Sequence, residues 1–384
     1  MITIENADKA LKEYYLQAFS AQLNDHISPF YSAIEKSTQN VYGKNVNYAI
    51  VRSNTGNIKA CAEDSALPDP HKNRYLGISV PLKNIFGTIE ISDKAMRASR
   101  DSSGAFVNLV NAEMEGLITS AKQNFQRMLF GDGNGTLCSI VSADSSHKNK
   151  LNVTVVKDFY IGMQVDLYAD NDVFVPQGEG VEIVAIDKEA STITISKEIT
   201  QDLQYGKVRV HGAKGNELTG LEAIFSGKTL YGHTKAEEPY FAPFVTDYRS
   251  LSEEALCEVL DTMEECYNSR INMLLCSYKT RKEIAELLAD KKRVVNTIDV
   301  NTGIGTVSVN NIPVYADKYC PDDTIYFINT DDFSLNQLCD WEWLEDEGGK
   351  ILKQIPGKAA YSATLVKYAE LICKKPCGQA KMTF

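Results

Sequence analysis

The sequence predicts an α+β protein organised around one long helix, and three observations carry that reading. Between Ser103 and Phe130 the large apolar side chains fall at Phe106, Val110, Met114, Leu117, Ala121, Phe125 and Met128. Steps of three and four residues draw one stripe down a helix. Ahead of it, residues 44–91 hold two extended β-forming arms around a polar tip. Behind it comes a β-only block over residues 151–212, followed by alternating helix and strand signals.

The bulk properties narrow the class. A chain of 384 residues allows two or three domains, each able to bury a core. Hydrophobic content of 43% and charged content of 24% are ordinary for a globular protein. A net charge of −11 argues against nucleic acid as the main ligand, because phosphate binding needs a cationic surface. No run of eighteen apolar residues suggests a membrane span. The opening MITIENADKALKEYY has no basic-then-apolar leader pattern. The nine cysteines are scattered, and the nearest pair, Cys373 and Cys377, is too widely spaced for a redox or zinc motif. They read as reduced thiols of a cytoplasmic protein.

Taken in order, residues 1–43 look helical and amphipathic, with Ile4, Leu11, Tyr15, Phe19 and Leu23 on one side. Such an arm packs on its own domain or on a neighbour, and the pattern does not choose between them. The arms NVNYAIVRSNTGNIKACAED and YLGISVPLKNIFGTIEIS flank SALPDPHKNR, a tip containing Pro68 and Pro70. A hairpin over forty residues long has too little core to be stable alone. It is either a subdomain folded on its own chain or an arm reaching over a second subunit. For the central helix, Ser102 or Ser103 can cap the start, and Gly131 suits a left-handed stop. At 1.5 Å per residue the helix is roughly 40 Å long. Its other face carries Asn108, Asn111, Glu115, Lys122 and Gln126.

In the β-only block, VEIVAIDKEASTITIS reads as a hairpin turning at Asp187 to Ser191, and the whole suits a small barrel or sandwich. From residue 213 an aromatic connector leads to a helix opened by Ser250 or Ser252 and running through Asn268. Its inner face is Leu256, Val259, Met263 and Tyr267. INMLLCS is a buried strand, YKTRKEIAELLADKK a second helix, GTVSVNNIPVYAD a hairpin and TIYFINTDDF another buried strand. Long β-segments end the chain.

The search for chemistry is unproductive. The five histidines, at 26, 71, 147, 211 and 233, stand in no catalytic motif, and neither the His-Glu-x-x-His nor the Gly-x-Ser-x-Gly pattern occurs. Gly131 to Gly135 hints at a calcium loop, but Leu137 and Ala143 occupy positions where that loop needs glycine and glutamate. It reads as a turn. Gly303-Ile-Gly305 precedes a strand and so fails as a dinucleotide fingerprint. The run from Asp331 to Glu347 holds seven carboxylates and no Lys or Arg. It reads as a solvated face, with contact to a basic patch on a second subunit (Lys291, Lys292 and Arg293, or Lys374 and Lys375) as the alternative. No catalytic residue, cofactor site or metal site is predicted.

The order of elements, together with several stretches, resembles the major capsid proteins of tailed bacteriophages, which share the Hong Kong 97-type shell fold. The stretches are SALPDPHKNRYLGISVPLKNIFGTIEISDKAMRAS, NELTGLEAIFSGKTLYG, LLCSYKTRKEIAELLADKKRVV, NNIPVYADKYCPDDTIYFINTDDFSL and WLEDEGGKILKQIPGKAAYSATLVKYAELICKKP. The resemblance implies an N-terminal arm over residues 1–45 and an extended E-loop over 46–91. It implies a spine helix and peripheral domain over 92–150, completed by 346–384, and an axial domain over 213–345. The block at 151–212 is an insertion beyond the minimal fold. The resemblance further implies pentamers and hexamers forming an icosahedral shell around double-stranded DNA, with no sequence-specific DNA contact and no membrane. A portal protein, and a separate scaffold or decoration protein, would be its partners. Its location would be the virion, and before assembly the host cytoplasm. The structural residues expected to matter are Phe106, Val110, Met114, Leu117, Phe125 and Met128 on the helix, and Pro68 and Pro70 at the tip. Lys59, Lys72 and Lys83 are candidates for isopeptide bonds to a neighbour. The competing readings are an encapsulin-type nanocompartment enclosing a cargo enzyme, and an enzyme using residues 229–248 as a pocket rim.

Overall fold

A computed structural model describes residues 28–53, 58, 60–61, 63, 74–94, 103–143, 149–201, 203–290, 297–298, 305–345 and 351–384. Within them the chain opens with a short helix, α1 (Pro29–Ala33), whose capping Ser28 accepts from the Phe30 N–H. The strands β1 (Glu35–Ser37), β2 (Val41–Tyr42), β3 (Asn45–Ser53), β4 (Arg74–Pro81) and β5 (Lys83–Ser92) follow, and then the central helix α2 (Ser103–Phe130). Next are β6 (Thr136–Ala143), β7 (Lys150–Val153), β8 (Gln164–Ala169), β9 (Val173–Phe174), β10 (Val181–Asp187), β11 (Thr192–Ile195) and β12 (Lys207–Val210). After α3 (Leu221–Ser226) come β13 (Thr229–Leu230), β14 (His233–Thr234) and β15 (Phe244–Asp247). Then α4 (Glu253–Tyr267), β16 (Met273–Cys276) and α5 (Tyr278–Asp290) alternate. The remaining strands are β17 (Thr297–Ile298), β18 (Gly305–Val309), β19 (Ile312–Ala316), β20 (Thr324–Ile328), β21 (Phe333–Trp343), β22 (Lys353–Gln354), β23 (Ala360–Cys373) and β24 (Ala380–Thr383).

The helical arm expected through residue 45 is corrected from residue 28 onward: one turn of helix gives way to strands. The cause is tertiary. The edge of β21 offers parallel partners to Glu35, Lys36 and Ser37, and Phe30 and Tyr31 are buried in the core. Pairing and burial outrank local helix preference. Residues 1–27 lie outside the described residues. The hairpin also differs from its sequence outline. β3 and β4 pair from Asn45↔Pro81 to Ser53↔Arg74, but at Leu82 the chain leaves the hairpin. β5 pairs instead with β23, from Lys83↔Ala369 to Ser92↔Ala360. Ile85, Ile89 and Ile91 point inward while Asn84, Phe86, Thr88 and Glu90 point out, the alternation of a sheet with one covered face.

Three larger β-assemblies result. The peripheral sheet runs β5-β23-β21-β1, with β22 on the β21 side of β23. The backbone of the acidic run is an internal strand, β21, yet its described carboxylates stay at the surface: Asp331, Glu342 and Glu345 are exposed, and Asp332 and Asp340 are half-buried. Ser334 and Asn336 on it are fully buried, and Asp332 accepts from the Gln379 side chain at 2.9 Å. In the second assembly, β6, β7, β11, β10, β8 and β12 pair in a closed circuit, with β9 added to β8. Its first strand begins at Thr136, ahead of residue 151, because TLCSIVSA already alternates and follows the helix-ending turn directly. Leu151, Val165, Leu167, Val181, Ile183 and Val208 fill this barrel with a core of its own. Its β10–β11 turn uses the Asp187 carboxylate to accept from the Glu189 and Ala190 N–H groups.

The third sheet runs β15-β24-β20-β16-β19-β18-β17, with α4 and α5 packed on it. Ser252 caps α4 by accepting from Ala255 N, and Asn268 ends it at φ 47°. The hairpin β18–β19 turns through Asn310 and Asn311 at φ 50° and 65°, the left-handed pair that a two-residue turn requires. The boundary expected at residue 345 is corrected here. β21 lies in the peripheral sheet, while β24 near the C-terminus returns to pair with β15 and β20.

α2 is 28 residues long. Its stop differs from the expectation at Gly131, since the left-handed residues are Gly133 (φ 76°) and Gly135 (φ 67°). Gly131 is held instead by the next segment. Its carbonyl accepts from Ala223 N at 3.2 Å, and a Cβ at Gly220 would lie 2.5 Å from that same carbonyl oxygen. Phe125 is 0% exposed, so Phe125→Ala should cost about 3–5 kcal/mol. Denaturant unfolding measures it, and a parental midpoint would place Phe125 outside the core.

Candidate assembly surfaces

The best-built part of the molecule is the seat of α2. The Phe125 ring makes edge contacts with Tyr31 at 5.5 Å and Trp341 at 6.1 Å between centroids. One helix is thereby tied to both the N-terminal segment and β21. Under that ring lies Lys367 on β23, fully buried, its ammonium 5.6 Å from the Phe125 centroid and 5.5 Å from Trp341. Aromatic faces attract a cation most where water is excluded. Lys367 donates to Gln337 Oε1 at 2.9 Å and pairs with Asp340 at 2.5 Å. Burial lowers the Lys367 pKa, and Asp340 opposes that shift. Further along, the Leu117 side chain fills the space above Gly87, where a Cβ would meet its Cδ1 at 2.7 Å.

A second set of contacts joins α2, the barrel and the third sheet. Arg127 donates with both terminal nitrogens to Glu217, and the two side chains are buried. Gln126, expected on the solvated face, donates to Asp317 at 2.8 Å. Lys157 donates to the Cys320 carbonyl at 2.8 Å, and Glu222 accepts from Lys381 at 2.9 Å and Tyr326 at 3.1 Å. Burial works against the charge on Glu222, yet the hydrogen bonds from Ser226, Lys381 and Tyr326 hold its carboxyl below the usual range. Between the three parts lies a cleft of about 970 Å³ lined by groups of both signs, among them Lys157, Lys207 and Asp158.

The expected residues divide into three groups. Leu117, Phe125 and Met128 pack on the main core. Phe106, Val110 and Met114 lie in the first half of α2, where the described structure is the backbone. Pro68, Pro70, Lys59 and Lys72 lie outside the described residues, as do Lys291, Lys292 and Arg293. Lys83 donates to the Gly215 carbonyl at 2.6 Å. The other basic candidates are occupied within the chain. Lys374 pairs with Glu35 at 3.1 Å, and Lys375 donates to the last carbonyls of α4, Tyr267 and Asn268. The connector aromatics are tied into the chain, and Tyr231 alone of its rings borders a hollow of about 330 Å³ among the described residues. Tyr231 donates to the Leu371 carbonyl, Tyr240 to that of Lys374, and Phe241 stacks on His233.

The hairpin arms are covered at their base. Val46, Ile50, Ile78 and Val80 are buried, and the Tyr48 hydroxyl donates to Asn336 at 2.9 Å. Ile58 is 98% exposed, and Tyr42 and Tyr75 are also exposed. The barrel shows Ile161 and Tyr205 to solvent in the same way. Large apolar groups left in water are candidate contact points for other chains. Among the described residues, no helix is long and apolar enough to cross a membrane.

No protein-family model matches the chain, and no curated protein matches it. Solved structures do. The chain is similar to a capsid protein of the cyanophage A-1(L) capsid asymmetric unit, with TM-score 0.56 and 11% identity over 93% of this chain and 92% of that one. It is also similar to a chain of the native GTA particle capsid, with TM-score 0.51 and 9% identity over 93% and 90% of the two chains. The empty GTA particle gives TM-score 0.50 at 9% identity over 94% and 90%. The chain has the α+β shell fold of these capsid proteins.

Neither buried ion pair is visible in the sequence, because its members stand far apart: 27 positions for Asp340 and Lys367, and 90 for Arg127 and Glu217. Removing one partner leaves a buried charge uncompensated. Asp340→Asn should therefore lower stability by about 2–4 kcal/mol, reduced from the fully buried case by the partial exposure of Asp340. Lys367→Met in the same chain should recover most of the loss. A double-mutant cycle by urea unfolding checks both, and a harmless single mutant would mean Lys367 is held without its carboxylate.

Proposed function

We propose that this chain is a major capsid protein of a tailed bacteriophage. In this reading it assembles as pentamers and hexamers into an icosahedral shell around double-stranded DNA. The observation that carries the reading is the end-to-end likeness to the cyanophage capsid protein, 93% of one chain against 92% of the other. The net charge of −11 supports it, since an acidic wall does not adhere to packaged DNA. The role is structural rather than catalytic. A portal protein, and a separate scaffold or decoration protein, complete the particle, and the subunit passes from host cytoplasm to virion.

The mechanism follows from stiffness and reach. α2 seated on the peripheral sheet makes a plate whose shape is set by its own core. The hairpin is anchored at its base by its own chain, and the part that meets a neighbour in this reading is residues 54–73, including Pro68 and Pro70. Proline cannot donate to a sheet ladder, which suits this tip to contact between subunits. The exposed Ile58, Tyr75 and barrel residues provide apolar area to cover on assembly.

Purified protein should form rings, shells or tubes in negative-stain microscopy. Light scattering that shows only a 42.6 kDa species across salt and crowding conditions would overturn the reading. Nucleic acid inside particles recovered from the native host supports the phage reading, whereas a protein cargo there points to a nanocompartment. Deleting residues 65–73 and closing the gap with a short turn should move the melting temperature of the free subunit by less than about 2 °C, yet abolish closed shells. Closed shells from the deleted chain would remove the tip from the assembly mechanism.

A further inference from the structure

We propose that Glu370 is a proton-operated latch, closed when neutral, that fastens the connector between the barrel and α3 to the peripheral sheet. The inference rests on how the carboxyl is held and on what it holds, and it does not depend on shell assembly. Glu370 lies on β23 and is fully buried. Its Oε1 accepts from the Thr219 N–H at 2.7 Å and from its neighbour Leu371 N–H at 3.1 Å. Its Oε2 is buried with no hydrogen-bond partner. A neutral carboxyl tolerates one bare oxygen, whereas an ionised one in apolar surroundings does not.

Thr219 belongs to the short connector that runs from β12 to α3 and carries the exit of the barrel. The same connector is fixed at Gly215 by the Lys83 ammonium, at Glu217 by Arg127, and at Gly220 by close approach to the end of α2. Glu370 is thus one of four ties, and it alone among them lies on β23. A hollow of about 330 Å³ adjoins the connector, lined by Lys83, Gly215, Glu217, Thr219 and Tyr231. The charged and titratable groups facing the carboxyl are Lys83 from β5 and the Tyr231 phenol, which itself donates to the Leu371 carbonyl. Asn336, its cross-strand partner on β21, is neutral. The nearby Glu217 is neutralised by Arg127. Burial pushes the Glu370 carboxyl up to about 7, opposed by the Thr219 N–H, by Lys83, by the Leu371 N–H and by the Thr219 hydroxyl.

On ionisation the proton passes to solvent and Oε2 becomes a bare anion. Lys83 then answers it by leaving the Gly215 carbonyl, or water enters from the hollow. Either response loosens the connector. The sign follows from the raised value. The contribution of the closed latch is complete below the ordinary carboxyl value of 4.5 and is lost as pH rises through about 7.

Hydrogen exchange on the full-length free subunit tests this. After correction for intrinsic rates, protection of the amides of residues 215–220 should fall about tenfold between pH 6 and pH 8. Strand β11 in the barrel core serves as the unchanged reference. Glu370→Gln should remove the pH dependence, and Lys83→Met should raise the pH at which protection is lost, because the Lys83 ammonium favours the ionised carboxyl. A flat wild-type profile, or the same fall in Glu370→Gln, overturns the latch. Should Glu370→Gln fail to fold, carbon-13 titration of the wild-type Glu370 carboxyl decides, because a midpoint below about 5 overturns it as well.

Discussion

The fold depends on one arrangement, the C-terminal half of α2 pressed onto the peripheral sheet through Phe125. That ring touches the N-terminal segment through Tyr31, β21 through Trp341 and β23 through the ammonium of Lys367. Four stretches far apart in the chain meet at one side chain. Lys367 is tolerated there because Asp340, Gln337 and two aromatic faces together replace its water. The polar contact joins β23 to β21 within the sheet, and the helix meets the ammonium through the Phe125 ring.

From this seat the other parts are attached by their ends. The turn after α2 leads straight into the barrel, and the connector out of the barrel returns to the same place. Gly220 there lies against the carbonyl groups of Met128 and Gly131 with no room for a Cβ. The barrel has a closed hydrogen-bond circuit and a separate core, so its packing does not draw on the rest. Its position does, through Arg127–Glu217, the Lys157 contact with Cys320 and the Glu370 contact with Thr219. Each part has a core of its own, and a small set of polar contacts joins them.

The third sheet is closed by β24, which stands between β15 and β20. The chain therefore cannot complete this sheet until nearly all of it is present. Such non-local pairing is slow to form because loop closure precedes the reward of contact. The same strand sets Lys381 against Glu222 at the start of the connector helix α3. The far end of the chain is thereby coupled to the joint beneath the barrel.

Much of this was legible from residues alone, and the reason is periodicity. The extent of α2, the bounds of α4 (with the structure choosing Ser252 over Ser250 as its cap), the Asp187 turn and the all-β character of the block at 151–212 follow from local pattern and turn chemistry. What only the tertiary structure decided is partnership. Alternation in β5 shows that one face is buried but not that β23 covers its edge, so residues 83–92 read as part of an arm. The acidic run reads as a solvated face, and its described carboxylates do stay at the surface, but that β21 runs inside a sheet and sets Asp340 against the buried Lys367 is decided by pairing. The assignment of β21 and β24 to opposite sheets leaves no mark in either strand. Strand pairing is a backbone interaction that any extended segment can make, so the choice of partner rests with the whole chain.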